Sequence, residues 1–225
     1  MAIFVDSAHI DDLTTAAALG FVRGFTTNPT LMARETGDAL AHFRRLLAAF
    51  PEGPAFYQPT GASEAALRDE ALAAASLAPD RVVIKLGATE VGAATAGRLT
   101  AQGVRCALTA AYSPAQALVA HESGCAWVIP YVDRAIRQRL DGLALVASFA
   151  AVLATTGDTT RVLAASLKTP AQVSDAVLHG AHDVTAPLAV LRSLPVHASS
   201  EAAMREFASA WKAKAAERVP DSSAG

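Results

Sequence analysis

The chain has 225 residues, of which 52% are hydrophobic and 18% charged, and this suits a single α/β domain with one sizeable core. The formal net charge of −2 and the dispersed arginines exclude a basic surface for nucleic acid. The first residues lack the basic and apolar regions of a signal peptide, and no apolar stretch reaches membrane-spanning length, so we expect a cytoplasmic protein with no membrane partner.

Segments rich in β-branched residues alternate along the chain with helical segments rich in alanine and leucine, a pattern typical of βα units. The predicted strands are Ile3–Asp6, Gly24–Thr27, Ala55–Gln58, Val82–Lys85, Val104–Thr109, Trp127–Pro130, Arg161–Ser166 and Asp183–Thr185. The predicted helices between and after them are His9–Leu19, Asp38–Phe50, Ser63–Leu77, Glu90–Ala101, Ser113–Ser123, Leu143–Thr155, Pro170–His179 and Leu188–Leu194.

Eight strands, each followed by a helix, predict a (β/α)₈ TIM barrel. A doubly wound open sheet is the alternative, but it usually has fewer strands, and no glycine-rich dinucleotide motif follows the first strand. An additional C-terminal helix, Ser199–Arg218, carries an apolar stripe that includes Phe207 and Trp211. We therefore expect a catalytic barrel over residues 1–197, and a helix and tail over 198–225 that pack on the barrel or on a neighbouring subunit.

Lys85 is an unusual residue for its position, because it ends an apolar predicted strand in a chain with four lysines and fifteen arginines. A partly desolvated ammonium can lose its proton near neutral pH and attack a carbonyl, whereas a guanidinium stays protonated. The alternative is a lysine that closes the strand and extends its amine into solvent. The local pattern leaves both interpretations open.

The other predicted strands also end in polar residues, and in a barrel these ends share one face. Each has an ordinary structural explanation as a cap, a turn or a strand end. Together, an amine, an acid and several hydroxyl and amide groups suit imine chemistry on a polyol ketone. The candidates are Asp6, Thr26, Asn28, Gln58, Lys85, Thr109, Tyr131, Arg134, Ser166 and Lys168.

Six segments resemble, in order, the small transaldolase/fructose-6-phosphate aldolase family over nearly the whole chain. They are Val5-Asp6-Ser7, Thr26-Thr27-Asn28-Pro29-Thr30, Val83-Ile84-Lys85, Thr109-Ala110-Ala111-Tyr112, Pro130-Tyr131-Val132-Asp133-Arg134 and Val162-Leu163-Ala164-Ala165-Ser166-Leu167-Lys168-Thr169-Pro170. The resemblance implies a class I aldolase mechanism that needs no metal or other cofactor, because an iminium serves as the electron sink.

The resemblance also implies a role for each site residue. Lys85 would form the Schiff base and Asp6 would transfer protons. Thr109 would help to place a catalytic water, and Thr26 lies in the matching Thr-Thr-Asn-Pro segment. The resemblance assigns dihydroxyacetone hydroxyls to Asn28 and Ser166, and the phosphate of the aldehyde half to Arg134, Ser166 and Lys168.

Two positions indicate the subtype. Transaldolases of this family usually have a glutamate where this chain has Gln58 and a phenylalanine where it has Tyr131. Glutamine and tyrosine are similar to the aldolase branch, where they place a water that protonates the enamine and releases free dihydroxyacetone. Cleavage of fructose 6-phosphate is therefore expected, with transaldolase activity in the pentose phosphate pathway as the alternative and an inactive ligand-binding barrel as a further one.

The chain departs from the family pattern in the segment after Lys85 and in the segment around Arg134. Leu86-Gly87-Ala88-Thr89 lacks a usual proline, Asp133 replaces asparagine, and Arg137 and Arg139 replace part of a glycine-rich loop. These departures affect the expected sugar more than the chemistry of Lys85. A sugar phosphate is the expected ligand, and the resemblance implies a ring-shaped homo-oligomer, a pentamer or a decamer.

Overall fold

The computed structural model describes residues 1–35, 37–157 and 159–216, and within them eight parallel strands form one closed barrel. The last strand pairs with the first, which closes the ring. The predicted TIM barrel is therefore confirmed, and the open sheet is excluded. The strands are β1 (Ile3–Asp6), β2 (Phe25–Thr26), β3 (Ala55–Tyr57), β4 (Val82–Gly87), β5 (Cys106–Ala111), β6 (Trp127–Pro130), β7 (Arg161–Ala164) and β8 (Asp183–Ala186).

Eleven helices lie in the described residues, and nine of them correspond to predicted helices, including the additional C-terminal one. The predicted end of that helix at Arg218 and the tail after it lie outside the described residues. The helices are α1 (Ile10–Ala18), α2 (Pro29–Glu35), α3 (Ala39–Ala49), α4 (Glu64–Ala75), α5 (Glu90–Thr100), α6 (Pro114–Glu122), α7 (Val132–Arg137), α8 (Gly142–Leu153), α9 (Pro170–Leu178), α10 (Leu188–Ser193) and α11 (Ala198–Ala216).

Two short helices, α2 and α7, are the ones that the sequence does not predict. The pair Asn28-Pro29 reads as a turn, but the Asn28 side chain accepts a hydrogen bond from the Leu31 amide (3.0 Å), and Pro29 occupies the first turn of α2. Helix α7 has six residues and begins directly after Tyr131 at the end of β6, with no separate loop to mark its start in the sequence. Both helices follow directly on strand ends that carry candidate site residues.

Strand β4 continues two residues beyond its predicted end, through Leu86 to Gly87. Lys85 consequently lies inside the strand, opposite Ala107 of β5, and its side chain is only 3% exposed. The structural alternative, an amine that reaches solvent from a strand end, is therefore wrong. The amine that the sequence predicts at the end of the strand is buried within it.

The interior of the barrel is an apolar cluster of side chains from six strands and the segment after β7. Phe56 lies at its centre, with ring centroids 5.3 Å from Phe4 and 5.1 Å from Trp127 in edge-on geometry. Such aromatic pairs add stability beyond the area that they bury. The cluster provides a rigid base on which the polar end of the barrel is built.

At the amino end of the barrel, the buried carboxylate of Asp183 connects neighbouring strands by hydrogen bonds; Asp183 is the first residue of β8. It accepts hydrogen bonds from the Trp127 indole (2.9 Å), from Arg161 (2.7 and 2.8 Å) and from the amide of Ala2 (2.6 Å). Burial alone would raise the pKa of Asp183, but the hydrogen bonds from Arg161 and Trp127 outweigh it and hold the pKa below its ordinary value. One carboxylate thus links β6, β7, β8 and the residue before β1.

The internal contacts divide the chain into two compact units. The first, Met1–Leu191, contains the whole barrel, and the second begins at Arg192 and includes α11. On α11 the apolar side chains of Phe207 and Trp211 are 64% and 73% exposed. Among the described residues, no helix has both the length and the apolar character needed to cross a membrane.

Candidate active site

Five candidate site residues form a polar layer directly above the apolar core. Side chains two positions apart on a strand share a face, so a residue two positions beyond a core residue continues the inner face of the barrel. The pairs of core and site residue are Phe4 and Asp6, Phe56 and Gln58, Val83 and Lys85, Ala107 and Thr109, and Ile129 and Tyr131. The strand period therefore places these groups together.

A cavity of about 460 Å³ opens at the carboxyl ends of the strands. Its size falls within the usual range for small-molecule sites. Nine of the ten predicted site residues line it, so the candidate set is one site: Asp6, Thr26, Asn28, Gln58, Lys85, Tyr131, Arg134, Ser166 and Lys168. The tenth, Thr109, is fully buried behind the wall and donates a hydrogen bond to the Tyr131 hydroxyl (3.2 Å).

The Lys85 amine has the electrostatic environment of a nucleophile. Burial lowers the pKa of Lys85 from 10.5 to about 8, and the charge of Asp6 opposes this effect. At pH 7 to 8 an appreciable fraction of the amine is therefore unprotonated and able to attack a carbonyl.

The carboxylate of Asp6 is held by a short chain of hydroxyl groups. Thr26 donates to Asp6 (2.8 Å), and the Thr26 oxygen lies 2.7 Å from the hydroxyl of Thr185 on β8. Because Thr26 uses its proton on Asp6, Thr185 is the donor in the second bond. This arrangement fixes one Asp6 oxygen and leaves the other to interact with a ligand.

Tyr131 and Gln58 supply further polar groups to the cavity that Lys85 lines. Burial raises the pKa of Tyr131, the hydrogen bond from Thr109 opposes that effect, and the phenol stays protonated near neutral pH. The side-chain oxygen of Gln58 is buried without a hydrogen-bond partner among the described residues. A buried acceptor of this kind is satisfied by a water or a ligand hydroxyl.

The side of the cavity formed after β6 and β7 carries cations. The Arg134 guanidinium lies 5.0 Å from the centroid of the Tyr131 ring, and Lys168 lines the same cavity. Ser166 has a φ of 60°, a left-handed conformation that is uncommon for a residue other than glycine. Such strain at a cavity wall is typical of a position constrained by function.

Four further residues belong to this region, although the sequence analysis does not assign them to the site. Thr185, Arg34 and Arg137 line the cavity. Tyr112 lies beside Arg134. Burial raises the pKa of Tyr112, while the charge of Arg134 and a hydrogen bond to it act in the opposite direction. Thr185 ends a predicted strand and could have been found by that signal, but Arg34 stands on the unpredicted helix α2.

The described residues contain no group of three or more His, Cys, Asp or Glu side chains arranged to hold a metal ion.

A parallel (β/α)₈ barrel with a polar cavity at the carboxyl ends of its strands defines a TIM-barrel enzyme. The chain belongs to the transaldolase/fructose-6-phosphate aldolase family, whose model matches residues 3–222. The resemblance stated from the sequence motifs is thereby confirmed.

Curated relatives cover the chain almost from end to end. A "Probable transaldolase" of Symbiobacterium thermophilum is 34% identical over 213 residues, which are 95% of this chain and 98% of the relative. Proteins of the same name from Pelotomaculum thermopropionicum and Chlorobium phaeobacteroides are each 34% identical, and cover 94% and 92% of this chain and 98% and 94% of their own length. The match therefore extends over the whole barrel.

Proposed function

We propose that this enzyme is a class I aldolase that reversibly splits fructose 6-phosphate into dihydroxyacetone and glyceraldehyde 3-phosphate. The observation that carries the proposal is the buried Lys85 amine, whose pKa is lowered to about 8, in a cavity that it shares with Asp6, Asn28 and Tyr131. A ligand-binding barrel without catalysis has no use for a lysine that is 3% exposed, because burying its charge costs free energy.

In the proposed reaction Lys85 attacks the C2 ketone, and loss of water leaves an iminium. The C3–C4 bond then breaks, and its electron pair passes into the iminium to form an enamine. Asp6 accepts the proton of the C4 hydroxyl as the aldehyde departs. A proton returned to C3 converts the enamine back to an iminium, and hydrolysis releases dihydroxyacetone and the free Lys85 amine.

The binding groups suit the two halves of this substrate. The Asn28 side-chain oxygen is occupied by the Leu31 amide, so its NH₂ group is free to donate to a hydroxyl of the dihydroxyacetone unit. Arg134, Ser166 and Lys168 line the opposite side and provide two charges and a hydroxyl for a phosphate. Thr26 acts through Asp6, which it holds by a hydrogen bond.

The choice between aldolase and transaldolase depends on how readily the enamine is protonated. Tyr131, Gln58 and Thr109 together could hold a water near Lys85, since Thr109 already bonds to the Tyr131 hydroxyl and the Gln58 oxygen lacks a partner among the described residues. Such a water favours protonation and release, which is why we place the lyase reaction first. Transfer of the three-carbon unit to a second aldose is the other candidate, favoured by the names of the curated relatives.

Borohydride trapping tests the imine mechanism directly. The protein is incubated with dihydroxyacetone or fructose 6-phosphate, reduced with borohydride, and the adduct is mapped by mass spectrometry. We expect one adduct, on Lys85, and none in Lys85→Arg, because the guanidinium keeps the charge but does not form the imine. An unmodified Lys85, or full activity of the arginine variant, would refute both the lyase and the transfer reactions.

Acceptor dependence separates the two reactions. We expect purified enzyme to release dihydroxyacetone from fructose 6-phosphate without any added aldose, and erythrose 4-phosphate to be unnecessary. A strict requirement for erythrose 4-phosphate would assign the enzyme as a transaldolase instead.

Tyr131→Phe is predicted to shift the balance toward transfer. Loss of the phenol weakens the hold on the water beside the enamine, so the enamine survives long enough to meet a second aldose. We expect the ratio of transfer to cleavage to rise by about tenfold, a change equivalent to one hydrogen bond. The ratio is measured with fructose 6-phosphate in the presence and absence of erythrose 4-phosphate, and an unchanged ratio would show that the phenol does not control protonation.

We also propose that the enzyme assembles into a ring-shaped homo-oligomer, a pentamer or a decamer, through α11. This rests on the exposed Met204, Phe207 and Trp211 side chains of that helix, which form an apolar surface. Exposure of such a surface to water is unfavourable, and burial against another subunit would remove it from water.

A further inference from the structure

Cations occur on two separate sides of the cavity mouth. Arg134 and Arg137 stand on α7 after β6, and Lys168 follows β7, so three of these charges share one side. Arg34 stands on α2 after β2. In the closed barrel β2 and β6 are four strands apart in an order of eight, so Arg34 lies on the wall opposite Arg134.

Two of the three cations on the β6–β7 side have partners within the protein. Arg137 is paired with Asp133 through a 2.9 Å contact. Arg134 is stacked on Tyr131 and lies beside Tyr112. Arg134, Ser166 and Lys168 are the residues proposed above to bind the phosphate of the aldehyde half of the substrate.

Arg34, like Arg134, Arg137 and Lys168, is exposed and lines the cavity. Unlike Arg134 and Arg137, it makes no ion pair or ring contact with any described residue, and it stands on the β2 side of the cavity. Arg34 lies on the same helix, α2, whose first turn is capped by Asn28. Arg34 is therefore on the side of the cavity where Asn28 is proposed to bind a hydroxyl of the dihydroxyacetone unit. A ketose held on Lys85 with its phosphate toward Arg134 directs its other end, C1, toward this side.

We propose that Arg34 binds a second anionic group, a phosphate ester on C1 of the ketone unit, so that the enzyme accepts ketoses phosphorylated at both ends. The proposal rests on the proposed function, which sets the direction in which the substrate lies. Arg34 provides a planar set of donors that suits a phosphate, and no neighbouring carboxylate among the described residues neutralises it.

Equilibrium binding of two open-chain polyols tests the inference without any chemistry. Glucitol 6-phosphate and glucitol 1,6-bisphosphate have no carbonyl, so neither forms an imine with Lys85. We expect calorimetry to show that the wild type binds the bisphosphate about tenfold more tightly, the size of one exposed charge-assisted contact. In Arg34→Gln that preference should disappear while the affinity for the monophosphate is unchanged.

Arg44→Gln is the matched control, because Arg44 is an exposed arginine on the next helix, α3, and does not line the cavity. It should keep the preference for the bisphosphate. Equal binding of the two polyols by the wild type would overturn the inference, as would a preference that survives in Arg34→Gln or is lost equally in Arg44→Gln.

The outcome is distinguishable from failure of the proposed function. If dihydroxyacetone formed no adduct on Lys85, the aldolase proposal would fail, although the polyol binding experiment would still report on Arg34. If the adduct forms and the bisphosphate preference is absent, only the second anionic site is wrong. If the adduct forms and the bisphosphate is preferred, kcat/KM for fructose 1,6-bisphosphate should fall by about tenfold in Arg34→Gln, whereas kcat/KM for fructose 6-phosphate should not.

Discussion

Lys85 reduces the stability of the barrel in exchange for its reactivity. Its pKa is about 8 in the folded protein against an ordinary value of 10.5, so at pH 7 the unfolded chain holds the proton more strongly than the folded one does. A difference of this size corresponds to roughly 3 kcal/mol of folding free energy lost to the buried charge. The free energy is recovered as the pH rises from about 8 to 10.5 and the lysine becomes neutral in both states.

Lys85→Met should therefore be inactive and more stable than the wild type at pH 7. The gain arises because methionine fills a similar volume without burying a charge. Thermal unfolding followed at a series of pH values would show the advantage of the variant shrinking between pH 8 and 10.5. A stability difference that did not depend on pH in this range would mean that folding does not lower the pKa of Lys85.

Tyr112→Phe should impair the use of phosphorylated substrates selectively. Without the phenol beside it, the Arg134 guanidinium keeps, among the described residues, its contact with the Tyr131 ring and is less well oriented for a phosphate. We expect KM for fructose 6-phosphate to rise about fivefold with little change in kcat, a loss comparable to one hydrogen bond.

Two controls separate this positioning role from a general structural one. Addition of dihydroxyacetone to unphosphorylated glyceraldehyde should proceed equally well in Tyr112→Phe and in the wild type. In an Arg134→Gln background the tyrosine should no longer matter. Equal losses with both aldehydes would mean that Tyr112 supports the fold of the site instead of Arg134.

At the scale of elements, the strands and long helices could be predicted because their periods repeat over enough residues to be recognised. The strand ends then identified the residues of the site, since parallel strands bring their carboxyl ends together. The sequence pattern predicts Lys85 at the end of its strand, but two more residues of β4 pair with β5, and only the neighbouring strand determines that length. Helices α2 and α7 begin directly at strand ends, and Asn28-Pro29 at the start of α2 is interpreted from the sequence as a turn, so Arg34 is overlooked.

Contacts across the barrel were beyond prediction from sequence. Tyr112 and Arg134 are more than twenty positions apart, the first directly after β5 and the second on α7 after β6, and nothing local indicates that they meet. The same holds for Thr26 and Thr185, whose hydroxyls lie 2.7 Å apart because β1 pairs with both β2 and β8.

Asp183→Asn should destabilise the barrel without affecting the cavity. The change removes the charge that pairs with Arg161 and weakens the bonds from Trp127 and Ala2, at a cost of about 2 kcal/mol when the partial exposure of Arg161 is considered. Urea unfolding at pH 7 measures it, and kcat/KM should be unchanged in the folded variant.

The pH dependence and a surface control test the cause. Because the pKa of Asp183 is lowered by folding, its contribution is present above the ordinary carboxyl pKa and is lost as the pH falls below it. The difference between the wild type and Asp183→Asn should vanish in acid. Asp69→Asn, which removes an exposed pair with Arg68, should change the stability little at any pH. Equal effects of the two variants at pH 7 would contradict the role of Asp183.

At the scale of the whole molecule, the exposed side chains of α11 predict how copies of the chain associate. Phe207→Ser combined with Trp211→Ser should reduce the assembly to smaller species, measured by size-exclusion chromatography with light scattering, because both rings would lose apolar burial between subunits. Leu178→Ser is the control, since Leu178 is a comparably exposed apolar residue on α9. A wild type that is monomeric, or an assembly broken by Leu178→Ser and not by the α11 variant, would contradict the assignment.

Ala110 carries a consequence for protein engineering. It lines the cavity and, like Ser166, adopts a left-handed backbone, with a φ of 56° that costs a residue with a side chain about 1 kcal/mol. Substitutions that widen a catalytic pocket usually lower stability, and this limits how many can be accumulated in directed evolution. At Ala110 the two effects oppose each other, because glycine would both remove a methyl group from the wall and suit the backbone. A campaign toward bulkier aldehydes therefore has one starting position where a wider substrate range and greater thermostability can be selected together.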